Sequence, residues 1–82
     1  MNLIVSWKNN DPFKIVIDDG KTLLELKKKI AEHYKADYTG FNILNGNDLI
    51  DNTKNSYTLS SLNIKRMIRL PVNYNPGNAY IN

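Results

Sequence analysis

The chain has 82 residues and a formal net charge of +3, 41% of its residues are hydrophobic, and it contains no cysteine. A chain of this length forms one domain with a small core. The lack of cysteine excludes a disulfide framework, a thiolate metal site and a thiol nucleophile.

The composition also bears on location and partners. No apolar run approaches the roughly 20 residues that a membrane span requires. The chain starts on a strand-like pattern, without the basic and then apolar segments of a signal peptide. We therefore expect a cytoplasmic protein, also nuclear if its source is eukaryotic, and a monomer. The charge is too small and too dispersed to predict a nucleic-acid or membrane partner.

The first predicted elements are two strands. Apolar residues alternate with mostly polar ones in two short runs, which turn-forming residues 8–12 separate. This pattern predicts a β-hairpin. The alternating apolar residues of the two runs are Leu3, Val5, Trp7, Phe13, Ile15 and Ile17.

A helix is predicted next, over about residues 22–35. Thr22 is a good N-cap, and Glu25 has the spacing of a capping box. Four apolar residues then recur at helical intervals and predict one buried stripe. The stripe consists of Leu23, Leu26, Ile30 and Tyr34.

The same helix carries the only run of three basic residues, Lys27 to Lys29. Successive helical residues point 100° apart, so these three side chains cannot form one flat patch. We interpret them as a solvated helix face.

Three short strands are predicted after the helix. Residues 41–44 form the third strand, Asn45-Gly46 favours a tight reversal, and residues 48–50 return. Residues 51–57 lack an apolar period and indicate an exposed loop, and residues 58–62 favour a single helical turn.

The closing strand is predicted at about residues 67–72. Ile68 and Leu70 occupy one face, and Arg69 and Pro71 the other. Because proline cannot donate a ladder hydrogen bond, either pairing ends near Leu70 or the Pro71 nitrogen faces outward.

Hairpin, capped helix, short strands, helical turn and closing strand, in that order, resemble ubiquitin and the ubiquitin-like domains. The resemblance covers about residues 1–72. It implies an α+β fold of the β-grasp type, with a mixed four- to five-stranded sheet packed on one main helix. The residues that carry it are Met1, Leu3, Val5, Phe13, Ile15, Ile17, Thr22, Leu23, Leu26, Lys27, Lys29, Ile30, Asn45-Gly46 and residues 58–64.

The resemblance implies a function in protein binding, which for ubiquitin uses the outer face of the sheet. Ile43 looks like the isoleucine at the centre of that surface, and Lys8, Arg66, Arg69 and Pro71 surround it. Arginine makes bidentate contacts with carboxylates, so the expected partners are receptors of ubiquitin-like domains with an apolar anchor and an acidic rim. We expect Ile43→Asp to abolish binding and to leave the melting transition nearly unchanged.

Two alternatives depend on residues 73–82, which predict a flexible tail after a domain of residues 1–72. Conjugated members of the family end in Gly-Gly, whereas this chain ends in Ala79-Tyr80-Ile81-Asn82. Trimming to Gly77 would give a glycine terminus, preceded by the rigid Pro76. In the first alternative, the trimmed chain is a small ubiquitin-like modifier that is conjugated to other proteins. In the second, the chain is the N-terminal targeting module of a longer protein.

Catalytic interpretations have little support. The single histidine, His33, near the end of the helix, is expected to be solvated or to complement the helix dipole. The cluster of Asn45, Asn47, Asp48 and Asp51 lacks the bidentate glutamate and the spacing of a calcium loop. We therefore expect no enzymatic activity, no cofactor and no metal.

Overall fold

The computed structural model describes residues 1–71. The expectations for the tail, including Gly77, lie outside these described residues. The elements are β1 (Asn2–Ser6), β2 (Phe13–Val16), α1 (Leu23–Tyr34), a 3₁₀ turn (Tyr38–Gly40), β3 (Ile43–Asn45), β4 (Asp48–Ile50), a second 3₁₀ turn (Asn52–Lys54) and β5 (Met67–Arg69).

The five strands form one mixed sheet in the order β2-β1-β5-β3-β4. β1 and β5 are parallel, and the other neighbouring pairs are antiparallel. The α+β class and the mixed sheet with one helix are therefore confirmed. This arrangement is compatible with the β-grasp.

The helix begins and ends as the capping signals predict. The Glu25 amide donates to Thr22 Oγ1 at 3.3 Å, and the Thr22 amide donates to the Glu25 carboxylate at 3.3 Å. This reciprocal pair satisfies two amides that the first turn leaves open. At the other end Lys35 adopts φ = 54°, the left-handed conformation that terminates helices.

The core lies between the helix and one face of the sheet. Leu23, Leu26 and Ile30 are fully buried, and Tyr34 is partly buried against the same cluster, so the predicted stripe is confirmed. The sheet contributes inward residues from all five strands. These are Leu3, Val5, Ile15, Ile43, Ile50 and Ile68.

The prediction of a solvated side chain is wrong for Lys27, whereas Lys28 and Lys29 are exposed as expected. The Lys27 side chain is completely buried, and its Nζ donates to Asn52 Oδ1 at 2.6 Å. Burial lowers the pKa of Lys27 to about 8, partly opposed by the nearby Asp51 carboxylate.

The segment after β4 packs on the start of the helix. The Leu23 amide donates to Tyr57 O at 2.9 Å, and the Leu24 amide donates to Asn55 O at 3.0 Å. These bonds use two more amides of the first helical turn. The same segment supplies Asn52, so the loop that accepts the helix amides also accepts the Lys27 ammonium.

The hairpin between β3 and β4 is tighter than predicted. Asn45 pairs with Asp48, so the two loop residues are Gly46 and Asn47. Gly46 has φ = 66°, which suits the first central position of a type II′ turn. Asn45 instead contributes a buried side chain. Its amide nitrogen donates to Asn63 O at 3.1 Å, and its Oδ1 accepts from the Lys65 amide at 2.8 Å.

Two further expectations are refined. Residues 58–62 form a turn in which the Leu62 amide donates to Thr58 O at 3.2 Å, without developing into a helix. β5 ends at Arg69, and the last sheet bond runs from the Leu70 amide to Ser6 O at 2.9 Å. Pairing therefore stops before Pro71, as its missing N–H requires.

Candidate protein-interaction surface

Because side chains alternate along each strand, the sheet has an inner face on the helix and an outer face away from it. Each strand supplies at least one outer residue. The outer face consists of Asn2, Ile4, Ser6, Lys14, Val16, Leu44, Leu49, Met67 and Arg69.

Two leucines lie side by side at one end of this face. Leu44 of β3 is directly opposite Leu49 of β4 in the antiparallel register. Leu44 is half-buried, and Leu49 is 49% exposed. We call Leu44 and Leu49 the leucine patch.

Further apolar side chains continue across the outer face. Met67 of β5 is opposite Ile4 of β1 and is 69% exposed. Val16, on the edge strand β2, is 68% exposed. Large apolar groups at this degree of exposure, on neighbouring strands of one face, are typical of interaction surfaces.

Arg69 supplies a positive charge next to the leucine patch. It is directly opposite Leu44 in the β3–β5 pair. Its guanidinium Nη2 donates to Gly46 O at 3.4 Å, which orients the side chain along the β3–β4 hairpin. Arg69, one of the predicted site residues, therefore lies on the outer face of the sheet.

Ile43 does not lie on this surface, so its predicted position was wrong. It is 0% exposed and pairs with Ile50, another core residue. The inward residues of β3 are Ile43 and Asn45, which leaves Leu44 as the outward one. A shift of one residue in a strand exchanges its two faces, and both candidates for the outward position are large and apolar.

Lys8 and Pro71 lie together at one end of the sheet, beyond the pair of Ser6 and Arg69. Lys8 has φ = 52° in the hairpin turn, and its Nζ lies 4.7 Å from the centre of the Trp7 indole. The carbonyl of Pro71 accepts a hydrogen bond from Trp7 Nε1 at 3.1 Å. Trp7 thus connects the first hairpin to the chain that leaves β5.

Arg66 lies at the opposite end of β5 from Arg69. Its carbonyl accepts from the Ile4 amide at 2.7 Å. Its exposed side chain borders a groove of about 310 Å³ with Met1 and Asn2. The two arginines therefore flank the strand and do not form one cluster.

Sequence reasoning missed Leu44, Leu49 and Met67. A signal was present in β4, where Leu49 precedes the core residue Ile50 and therefore has the opposite orientation. That signal becomes usable only when the pairing of Ile50 with Ile43 is known, because the register carries the orientation from one strand to the next.

The acidic and asparagine cluster has a local structural role. Asp51 caps the second 3₁₀ turn by accepting from the Thr53 amide at 3.0 Å. Hydrogen bonds from Thr53 lower the pKa of Asp51. Within residues 1–71, no group of three His, Asp or Glu side chains is placed to hold a metal ion. In the same range, no helix is long and apolar enough to cross a membrane.

The comparisons with known proteins add no family to this description. No protein-family profile matches the chain, and no curated protein is significantly similar to it. The fold and the surface therefore carry the functional argument alone.

Proposed function

We propose that this domain binds other proteins non-covalently through the outer face of its sheet, centred on the leucine patch. The observation that supports the proposal most directly is the exposure of Leu49 and Met67 on a face that no other part of residues 1–71 covers. Burial of such apolar area in a complex is favourable by about 25 cal/mol per Å² before the costs of association.

The charges beside the leucine patch indicate the chemistry of the partner. Arg69 lies next to Leu44, and Lys14 lies opposite Ile4 on the same face. Among residues 1–71, none of the residues that form the outer face is acidic. We therefore expect a partner with an apolar anchor for the leucine patch and carboxylates for Arg69.

The experiment is affinity capture from native lysate, with three immobilised variants compared by quantitative mass spectrometry. Leu44→Asp places a charge in the centre of the proposed contact. Ser56→Asp makes the same change in charge at an exposed loop position away from the sheet. Arg69→Glu reverses the flanking charge.

We expect one set of partners to be lost with Leu44→Asp and Arg69→Glu and retained with Ser56→Asp. Urea denaturation of each variant checks that the fold is intact. Partners that bind Leu44→Asp as strongly as the original chain would contradict the proposal.

A further inference from the structure

Met67 has the most exposed large apolar side chain among residues 1–71, at 69%. On one side it is opposite Ile4 of β1, which is half-buried. On the other side, the antiparallel register that pairs Leu44 with Arg69 puts Gly46 opposite Met67. Because glycine has no side chain, this neighbour leaves the thioether of Met67 open to solvent.

Two cationic side chains lie close to the same place. Arg69 is two residues from Met67 on the outer face, and its Nη2 donates to Gly46 O at 3.4 Å. The Lys65 side chain also lies over Gly46, since a Cβ atom at Gly46 would be 3.5 Å from Lys65 Nζ. Both cations therefore converge on the residue opposite Met67. An oxygen atom on the Met67 sulfur would lie near strong hydrogen-bond donors.

Methionine supplies all the sulfur of this chain, which has two methionines and no cysteine. The other methionine, Met1, is 38% exposed, and its amine donates to Ile17 O. Peroxides oxidise exposed methionine to the sulfoxide. The sulfur lone pair attacks one oxygen of hydrogen peroxide, the S–O bond forms as the O–O bond breaks, and the second oxygen leaves as water. Reductases return the sulfoxide to the thioether and convert two thiols to a disulfide, with release of water.

We infer that Met67 is a reversible oxidation site that controls partner binding at the outer face. This inference rests on the proposed function. The thioether offers an apolar contact beside the leucine patch, whereas the sulfoxide oxygen loses water in the complex and needs a donor. Arg69 is the donor nearest along the strand, and a guanidinium bonded to the sulfoxide is less available to carboxylates of the partner. Oxidation therefore removes an apolar contact and competes for the flanking charge.

The test compares partner capture by the immobilised chain before and after treatment with hydrogen peroxide. The probes are those proteins of the native lysate whose capture is lost with Leu44→Asp. Peptide mapping sets a peroxide dose at which Met67 carries one oxygen and Met1 does not, as their exposures predict. The peroxide is washed out before the lysate is added, and the mass of the eluted chain checks that the oxygen is still present.

We expect oxidation to weaken capture about tenfold, the effect of one polar group buried with an imperfect partner. Treatment with methionine sulfoxide reductases and dithiothreitol should restore it. Met67→Gln, which places a polar amide near the position of the sulfoxide, should weaken capture without peroxide. The urea midpoint should not change on oxidation, because the Met67 side chain points away from the core.

The matched control is Met67→Leu, which keeps an apolar side chain and retains Met1. Whatever the affinity of this variant, peroxide should not change it. A loss of capture that persists in peroxide-treated Met67→Leu would assign the effect to another residue and overturn the inference. Oxidation of Met1 before Met67 would also overturn it.

One further comparison separates this inference from the proposed function. Partners that are lost with Leu44→Asp but bind the oxidised chain as strongly as the untreated chain contradict the role of Met67 alone. Partners that bind Leu44→Asp as strongly as the original chain contradict the proposed function, and the role of Met67 fails with it.

Discussion

The two faces of the sheet use the same kinds of residue for opposite purposes. Ile43 and Leu44 are adjacent in β3, yet Ile43 is fully buried against the helix whereas Leu44 belongs to the outer face. The same division separates Ile68 from Met67 in β5. Stability should therefore depend on one face and binding on the other, and substitutions at adjacent positions can test that separation.

The largest effect is expected from Ile43→Asp. A carboxylate at this position would be buried without a partner, which costs on the order of 5 kcal/mol, a large part of the stability of a small domain. Urea denaturation followed by tryptophan fluorescence measures the loss. A midpoint close to that of the unchanged protein would show that Ile43 is exposed and that the two faces of the sheet do not differ in their contribution to stability.

Buried Lys27 should make the stability of the domain depend on pH, with a smaller effect than that of Ile43→Asp. Its pKa of about 8 in the folded chain lies below the ordinary lysine pKa of 10.5, so between these two pH values the unfolded chain binds more protons than the folded chain. Stability therefore rises as pH increases through this window, by about 2 kcal/mol between pH 7.5 and 9.5. Urea denaturation across that range measures the slope.

The neighbouring lysine provides the control for this slope. Lys27→Met should remove it, whereas Lys28→Met, at an exposed position, should leave it unchanged. A slope that survives in Lys27→Met would have to come from another group.

Asn45→Ala should cost about 1 to 3 kcal/mol, because the Lys65 amide and the Asn63 carbonyl each lose a buried partner. Thermal unfolding measures the loss. The control is Asn47→Ala in the same hairpin, which should change stability by no more than about 0.5 kcal/mol, since Asn47 is exposed. Equal losses for the two variants would show that the side-chain hydrogen bonds of Asn45 do not stabilise the end of β3.

The smallest effect on stability is expected from Leu44→Asp, at about 1 kcal/mol or less, because the half-buried side chain can turn its carboxylate to water. Chemical denaturation beside Ile43→Asp measures the difference directly. Similar losses for both variants would mean that the outer face is as tightly packed as the inner one, and the leucine patch would no longer be available to a partner.

Local signals in the sequence predicted most of the elements. The capping box at Thr22 and Glu25 and the stripe of Leu23, Leu26 and Ile30 fixed the helix, because capping and periodicity depend on neighbours along the chain. The alternation in the first hairpin similarly placed Leu3 on the inner face. Pro71 limited β5 through its missing N–H.

The candidate surface was less predictable. In β3 both Ile43 and Leu44 are apolar, so alternation gives no direction, and only the pairing with Ile50 selects Ile43 for the core. Lys27 shows a similar failure, because a lysine on a helix is normally solvated. Its burial depends on Asn52, which is 25 residues away in the chain.

The amino-acid sequence alone specifies the order of the strands and the helix, the two ends of the helix, and the apolar stripe that the helix buries. Contacts formed on folding fix which leucines face outward, the burial of Lys27, and the position of β2 at the edge of the sheet. Capping and periodicity act between residues a few positions apart, whereas strand register and burial depend on contacts between segments that are distant in the chain.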